Sequence, residues 1–211
     1  MTIAAETLTH DQSIDGTLVE TRVSLADYLA YSDGTDTRYE LVKGALKPMS
    51  LGTGLQGHLM EFINDEFRDE IKRTQQPWTS KQAAVGVQSP RSGRWETCRI
   101  PDVVVLPTQQ WNDLLNQEAV ITLNQTPPIL VVEVVSPSTK TEDYRSKWIE
   151  YCALDILEYW IVDPIDACVT VCVLEEGSYT NYRFAGDEAI VSPMFPELQL
   201  TSAQVLMGSR S

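Results

Sequence analysis

A chain of 211 residues, 43% hydrophobic and 22% charged, can bury a substantial core, and its composition is not that of a fibre or a disordered polymer. Acidic residues outnumber basic ones 30 to 16, a net charge of −14, which counts against a protein that grips nucleic acid through a broad basic surface. No apolar run reaches the roughly 18 residues of a membrane span, and the N-terminus lacks a basic region followed by an apolar one, so no membrane contact and a cytoplasmic location are expected.

The four cysteines, Cys98, Cys152, Cys168 and Cys172, form no CxxC pair and are expected to be reduced and buried. Residues 1–20 carry no periodicity and are expected to form a mobile N-terminal arm, with residues 21–211 as a single domain. Ser24, with Asp27 in the capping-box position, starts a short helix running to Tyr31 and closed by Asp33-Gly34. RYELVKGALKPMS then predicts a hairpin turning at Lys43-Gly44, with Glu40 on its first strand. From Leu55 to about Lys72, apolar residues at Leu55, Leu59, Phe62, Ile63, Phe67 and Ile71 mark one face of a long helix.

Strands are expected at Ala83–Val87 and Ile100–Leu106, separated by the turn-rich SPRSGRW. ILVVEVVS is a continuous apolar run interrupted by Glu133 alone, as a strand buried on both faces should read. Ser136-Pro137-Ser138 ends it, and a second long helix is predicted from about Thr141 to Ala153, followed by the strand EYWIVDP. The last third alternates around Glu176-Gly177 as a second hairpin.

Two residues stand out chemically. Asp102 opens the strand PDVVVL, and Glu133 interrupts an otherwise apolar one. Burying an ionised carboxylate costs several kcal/mol unless it is paired or holds a metal. Two such acids suggest a site for a hard cation, since Mg²⁺ or Mn²⁺ takes oxygen ligands and keeps several waters. Such an ion lowers the pKa of a bound water and offsets charge on a phosphoryl transition state.

Tyr39-Glu40-Leu41 with Gly44, then His58, Pro101-Asp102, VVEVVSPST, Asp143 with Lys147, and EYWIVDP form a set spread from about Tyr39 to Pro164. With this set the chain resembles the Uma-type family of restriction endonucleases, in the PD-(D/E)xK nuclease superfamily. The resemblance implies an α/β fold, a restriction-endonuclease-like mixed sheet flanked by helices, with a core over about 39–164 and extra N- and C-terminal β-hairpins. It implies Asp102 and Glu133 as ligands of Mg²⁺ (or Mn²⁺), DNA as the partner, and catalytic roles for Asp102, Glu133, Lys147, Glu40 and His58. The chain departs from the pattern in one place: the superfamily lysine lies two residues after the second acid, on the same strand face, where this chain has Val135. The resemblance implies Lys147 as the substitute, because the family carries a lysine in this place, one helix further on in DYRSKWIEY; on a helical wheel it falls beside Tyr144, Trp148 and Tyr151 at the edge of the apolar stripe. There it would orient the attacking water or neutralise developing charge.

Each residue also has a plainer reading. Asp102 can cap the turn after Pro101, and Glu133 can pair with Arg99 or Lys147 for structural reasons. Asp143 and Lys147, spaced i,i+4, can form a surface ion pair. His58 can be a satisfied histidine at a core edge, or share a site with Glu61 one turn on. The expected function is a Mg²⁺-dependent endonuclease hydrolysing DNA phosphodiester bonds. The alternative is a catalytically inactive nuclease fold serving as a binding or regulatory module, which the acidic balance and Val135 favour. A homodimer suits cutting of both strands of a duplex.

Overall fold

A computed structural model describes residues 22–49, 51–90 and 96–211, so the arm expected over residues 1–20 and part of the turn-rich stretch, residues 91–95, lie outside it. The chain divides into two compact units, Met1–Leu51 with Gln88–Arg99, and Gly52–Val87 with Ile100–Ser211.

In the smaller unit, Ser24 caps helix α1 (Leu25–Leu29) and Asp27 completes the capping box, as its sequence predicts, although the helix stops two residues before Tyr31. Strands β1 (Tyr39–Val42) and β2 (Ala45–Pro48) pair antiparallel with Val42 opposite Ala45. Lys43 and Gly44 both take positive φ, the backbone of the two-residue turn that suits the strand twist. β5 (Thr97–Arg99) joins β1 through Leu41 and Cys98.

The larger unit is built on a six-stranded mixed sheet whose centre is β8 (Leu130–Val134). β8 runs antiparallel to β6 (Val103–Pro107) and parallel to β9 (Glu158–Asp163). β10 (Cys168–Glu175) and β11 (Ser178–Ala185) extend it as the expected hairpin, turning at Glu176-Gly177 with both residues at positive φ. β3 (Trp78–Gln82) closes the opposite edge against β6.

Alternation along the strands sends side chains to two cores. On one face Val103, Val105, Val132, Val134 and Trp160 meet Leu59, Ile63, Phe67 and Ile71, the apolar stripe of α2 (Gly54–Thr74). On the other face Val104, Leu106, Val131, Val135, Tyr159 and Ile161 meet Tyr151 and Ile156. Cys98, Cys168 and Cys172 are buried free thiols and Cys152 is half-buried. Among the described residues no helix is long and apolar enough to cross a membrane.

Four features differ from the sequence-based expectation. The strand expected at Ala83–Val87 starts only at Gly86: β3 ends before Ala83, which takes a positive φ of 44°, and β4 (Gly86–Ser89) follows, pairing parallel with β7 (Val120–Ile121). The strand expected at Ile100–Leu106 begins only at Val103, after Pro101, which has no N–H to give a ladder. The second long helix opens as a π-helical segment, Glu142–Lys147, and becomes α-helical as α4 only over Trp148–Cys152. Two short helices, α3 (Thr108–Leu114) and α5 (Ser202–Met207), were not anticipated.

Glu158 shows what an acid at the bottom of this sheet requires. It is fully buried; one oxygen accepts from Trp160 Nε1 and from the Ser192 hydroxyl at 2.6 Å, the other from the Met194 N–H at 2.9 Å. Burial nevertheless pushes its carboxyl up from the usual 4.5, against the pull of those hydrogen bonds. The interior therefore favours the protonated form, and that stabilisation is lost as pH rises from 4.5 through the raised pKa. Thermal melts from about pH 4 to about pH 8 should show the parent protein losing stability relative to Glu158→Gln across that interval; parallel profiles would contradict the assignment.

A buried carboxylate and ammonium cluster as the candidate active site

The π-helical segment forms because the chain leaves β8 through a tight turn. The Ser136 hydroxyl accepts from the Thr139 N–H at 3.2 Å, and the Ser136 N–H donates to Thr139 Oγ1 at 3.1 Å. The Asp143 N–H then donates to the Thr139 carbonyl at 2.9 Å, starting the helix beside the strand it has just left. π-turns recur at functional sites because the widened turn re-aims side chains. Here the segment turns Asp143 and Lys147 inward, to 1% and 6% exposure.

Lys147 reaches the sheet. Its Nζ lies 2.7 Å from Glu133 Oε2 and 2.9 Å from Asp143 Oδ1. The other oxygen of Glu133, Oε1, accepts the Tyr151 hydroxyl proton at 2.6 Å. The Asp143–Lys147 pair is thus not the surface pair that its i,i+4 spacing also allows. Although the ammonium lies at ion-pair distance from Asp143 Oδ1, no hydrogen bond reaches either oxygen of that carboxylate among the described residues.

Asp102 joins this group through sheet register. Val103 pairs with Val132, so one further step puts Asp102 opposite Glu133, and directly opposite residues in an antiparallel ladder share a face. Asp102 Oδ2 accepts the Val134 N–H at 2.7 Å, which holds the half-buried acid against β8. The carbonyl of the same residue, Val134, accepts from Gln56 Nε2 at 3.3 Å, at the start of α2.

Burial is the main force raising the Glu133 carboxyl well above the usual range; Lys147 opposes it, while Asp102 and Asp143 add to it. The group brings three carboxylates, Asp102, Glu133 and Asp143, beside the Lys147 ammonium, and carboxylate oxygens are ligands that a divalent cation takes. Among the described residues no three His, Cys, Asp or Glu side chains are gathered as a ready ligand set. Two carboxylates completed by water are a donor set of the kind that Mg²⁺ can take.

Two other candidates have their own local partners. Glu40 belongs to the smaller unit, where it pairs at 3.4 Å with the fully buried Arg99. His58 is exposed near the start of α2, and its imidazole fills the space that a side chain on Gly208 would need. The structure thus brings together Asp102, Glu133 and Lys147, and adds Asp143, Tyr151 and Gln56. Asp143 and Tyr151 share the four-residue spacing of Lys147, a signal present in the sequence; Gln56 had none.

Three observations place the chain among known proteins. A family model described as "Uma2: Putative restriction endonuclease" matches residues 25–203. A solved structure described as a "putative nuclease belonging to DUF820" from Anabaena variabilis superposes with a TM-score of 0.70 at 15% identity, over 88% of this chain and 98% of that one. No curated protein matches.

Removing the ammonium alone would leave two buried carboxylates facing each other. Lys147→Met is expected to destabilise the fold by about 3–5 kcal/mol in urea denaturation, against about 0–1 kcal/mol for an exposed pair. Adding Glu133→Gln should recover part of the loss; a Lys147→Met protein as stable as the parent would refute the burial argument.

Proposed function

Given that this chain belongs to the Uma2 family, we propose that it is a Mg²⁺- or Mn²⁺-dependent endonuclease of the PD-(D/E)xK type that hydrolyses DNA phosphodiester bonds in the cytoplasm. The observation that carries the proposal is the 2.7 Å contact between Lys147 and Glu133. It returns an ammonium to the acid of β8, although the strand position where the superfamily keeps its lysine is Val135.

In this reading Asp102 and Glu133 hold the cation from the two facing strands. The bound ion lowers the pKa of water and offsets charge on the phosphate. Lys147, held charged between Glu133 and Asp143, orients the attacking water or neutralises the oxygen charge that develops on the phosphoryl group. Val134 keeps Asp102 in place through its N–H, and Gln56 holds the carbonyl of the same residue from α2. Glu40 and His58, which match the family motif, are proposed as accessory groups. A homodimer would give each strand of a duplex its own site. The net charge of −14 argues for contacts confined to the site and its cations, in place of a wide basic groove.

Supercoiled and single-stranded DNA incubated with Mg²⁺ or Mn²⁺ tests the proposal. The parent protein is expected to cleave, with Asp102→Ala and Lys147→Ala each slowing cleavage by about 10²–10⁴-fold. Absence of cleavage by the parent with either metal would transfer the assignment to a nuclease-fold binding module.

A further inference from the structure

Glu133 accepts a side-chain hydrogen bond from a neutral group, and it comes from a residue that composition alone would consign to the core. Tyr151 is fully buried, and its hydroxyl donates to Glu133 Oε1 at 2.6 Å. Lys147 occupies Oε2 at 2.7 Å. With one donor on each oxygen, the carboxylate plane cannot turn about its last bond without giving up one of those contacts.

Tyr151 is itself held. Its ring meets that of Tyr159 edge-on, with centroids 5.1 Å apart and planes at 78°. The Tyr159 hydroxyl donates to the Asp143 carbonyl at 3.0 Å, at the other end of the helical stretch that carries Lys147. The same two tyrosines therefore fix both ends of the Asp143–Lys147–Tyr151 series. A third buried tyrosine, Tyr179, lies in the same core but sends its hydroxyl to the Ile156 carbonyl at 2.8 Å.

We infer that Tyr151 is a positioning residue for Glu133, setting the orientation in which that carboxylate presents itself to the divalent cation; this rests on the metal-dependent reading proposed above. Groups that hydrogen-bond a ligating side chain fix its direction, and their loss weakens metal binding by about 10- to 100-fold. The inference separates Tyr151 from Lys147: the tyrosine acts on how tightly the cation is held, the lysine on the reaction itself.

The test compares the parent protein, Tyr151→Phe and Tyr179→Phe. Free Mn²⁺ is titrated by its paramagnetic resonance signal at one pH, and DNA cleavage is measured at low and at saturating Mn²⁺. Both variants lose one buried tyrosine hydroxyl, so a purely structural effect would appear equally in both. Tyr151→Phe is expected to raise the Mn²⁺ Kd by about 10- to 100-fold, with most of kcat restored at saturating Mn²⁺, while Tyr179→Phe keeps the parental Kd. A parental Kd in Tyr151→Phe, or an equal rise in Tyr179→Phe, overturns the assignment while leaving the nuclease reading intact. A parent protein that neither binds Mn²⁺ nor cleaves DNA removes both.

Discussion

An ammonium group taken out of water must be met by negative charge, and in this chain that requirement ties the helical segment after β8 to the strand it has just left. Lys147 is 6% exposed and lies between Glu133 and Asp143. Water would ordinarily solvate all three groups, so their enclosure is stable only while each remains beside the others. The π-helical turn, the ring of tyrosines and the position of Asp102 across the ladder all serve that arrangement. The core of Val104, Val131, Tyr159 and Ile161 lies on the same face of the sheet.

The site's charge also explains why it sits where it does in the sheet. β8 is flanked on both sides, by β6 and by β9, so a side chain at its middle has no edge to escape from. Burial there pushes the Glu133 carboxyl well above the usual range, and the lysine brought in from the following helix opposes that rise.

Much of this was written plainly in the residues. The two hairpins announce themselves by Lys43-Gly44 and Glu176-Gly177, whose turns need positive φ, and the stripe from Leu59 to Ile71 leaves no doubt about α2. Glu133 is conspicuous because it breaks a run of valines. The inward reach of Lys147 was also legible, from its place at the edge of an apolar stripe. Other elements carried no such mark. β3 is a polar edge strand, WTSKQ, and α3 and α5 are too short to establish a period. The π-turn uses residues that suit an α-helix equally well, and only the hydrogen-bond register distinguishes them. Tyr151 reads as an ordinary core aromatic until its hydroxyl is followed to Glu133.

The connectivity of the cluster bears on how the chain reaches its native state. Tyr151 and Glu133 are 18 residues apart, whereas Asp102 and Val134 are 32 apart. The entropy lost in closing a loop grows only with the logarithm of its length, so the shorter closure comes at a lower cost than the longer one by a few tenths of a kcal/mol, on the order of 0.5. Most of the cluster therefore belongs to one local stretch of chain, β8 to α4, and a single more distant strand completes it. A sheet that pairs β8 with β9 in parallel has to bring that stretch back against itself in any case, so the crossover and most of the charged cluster are made by the same segment.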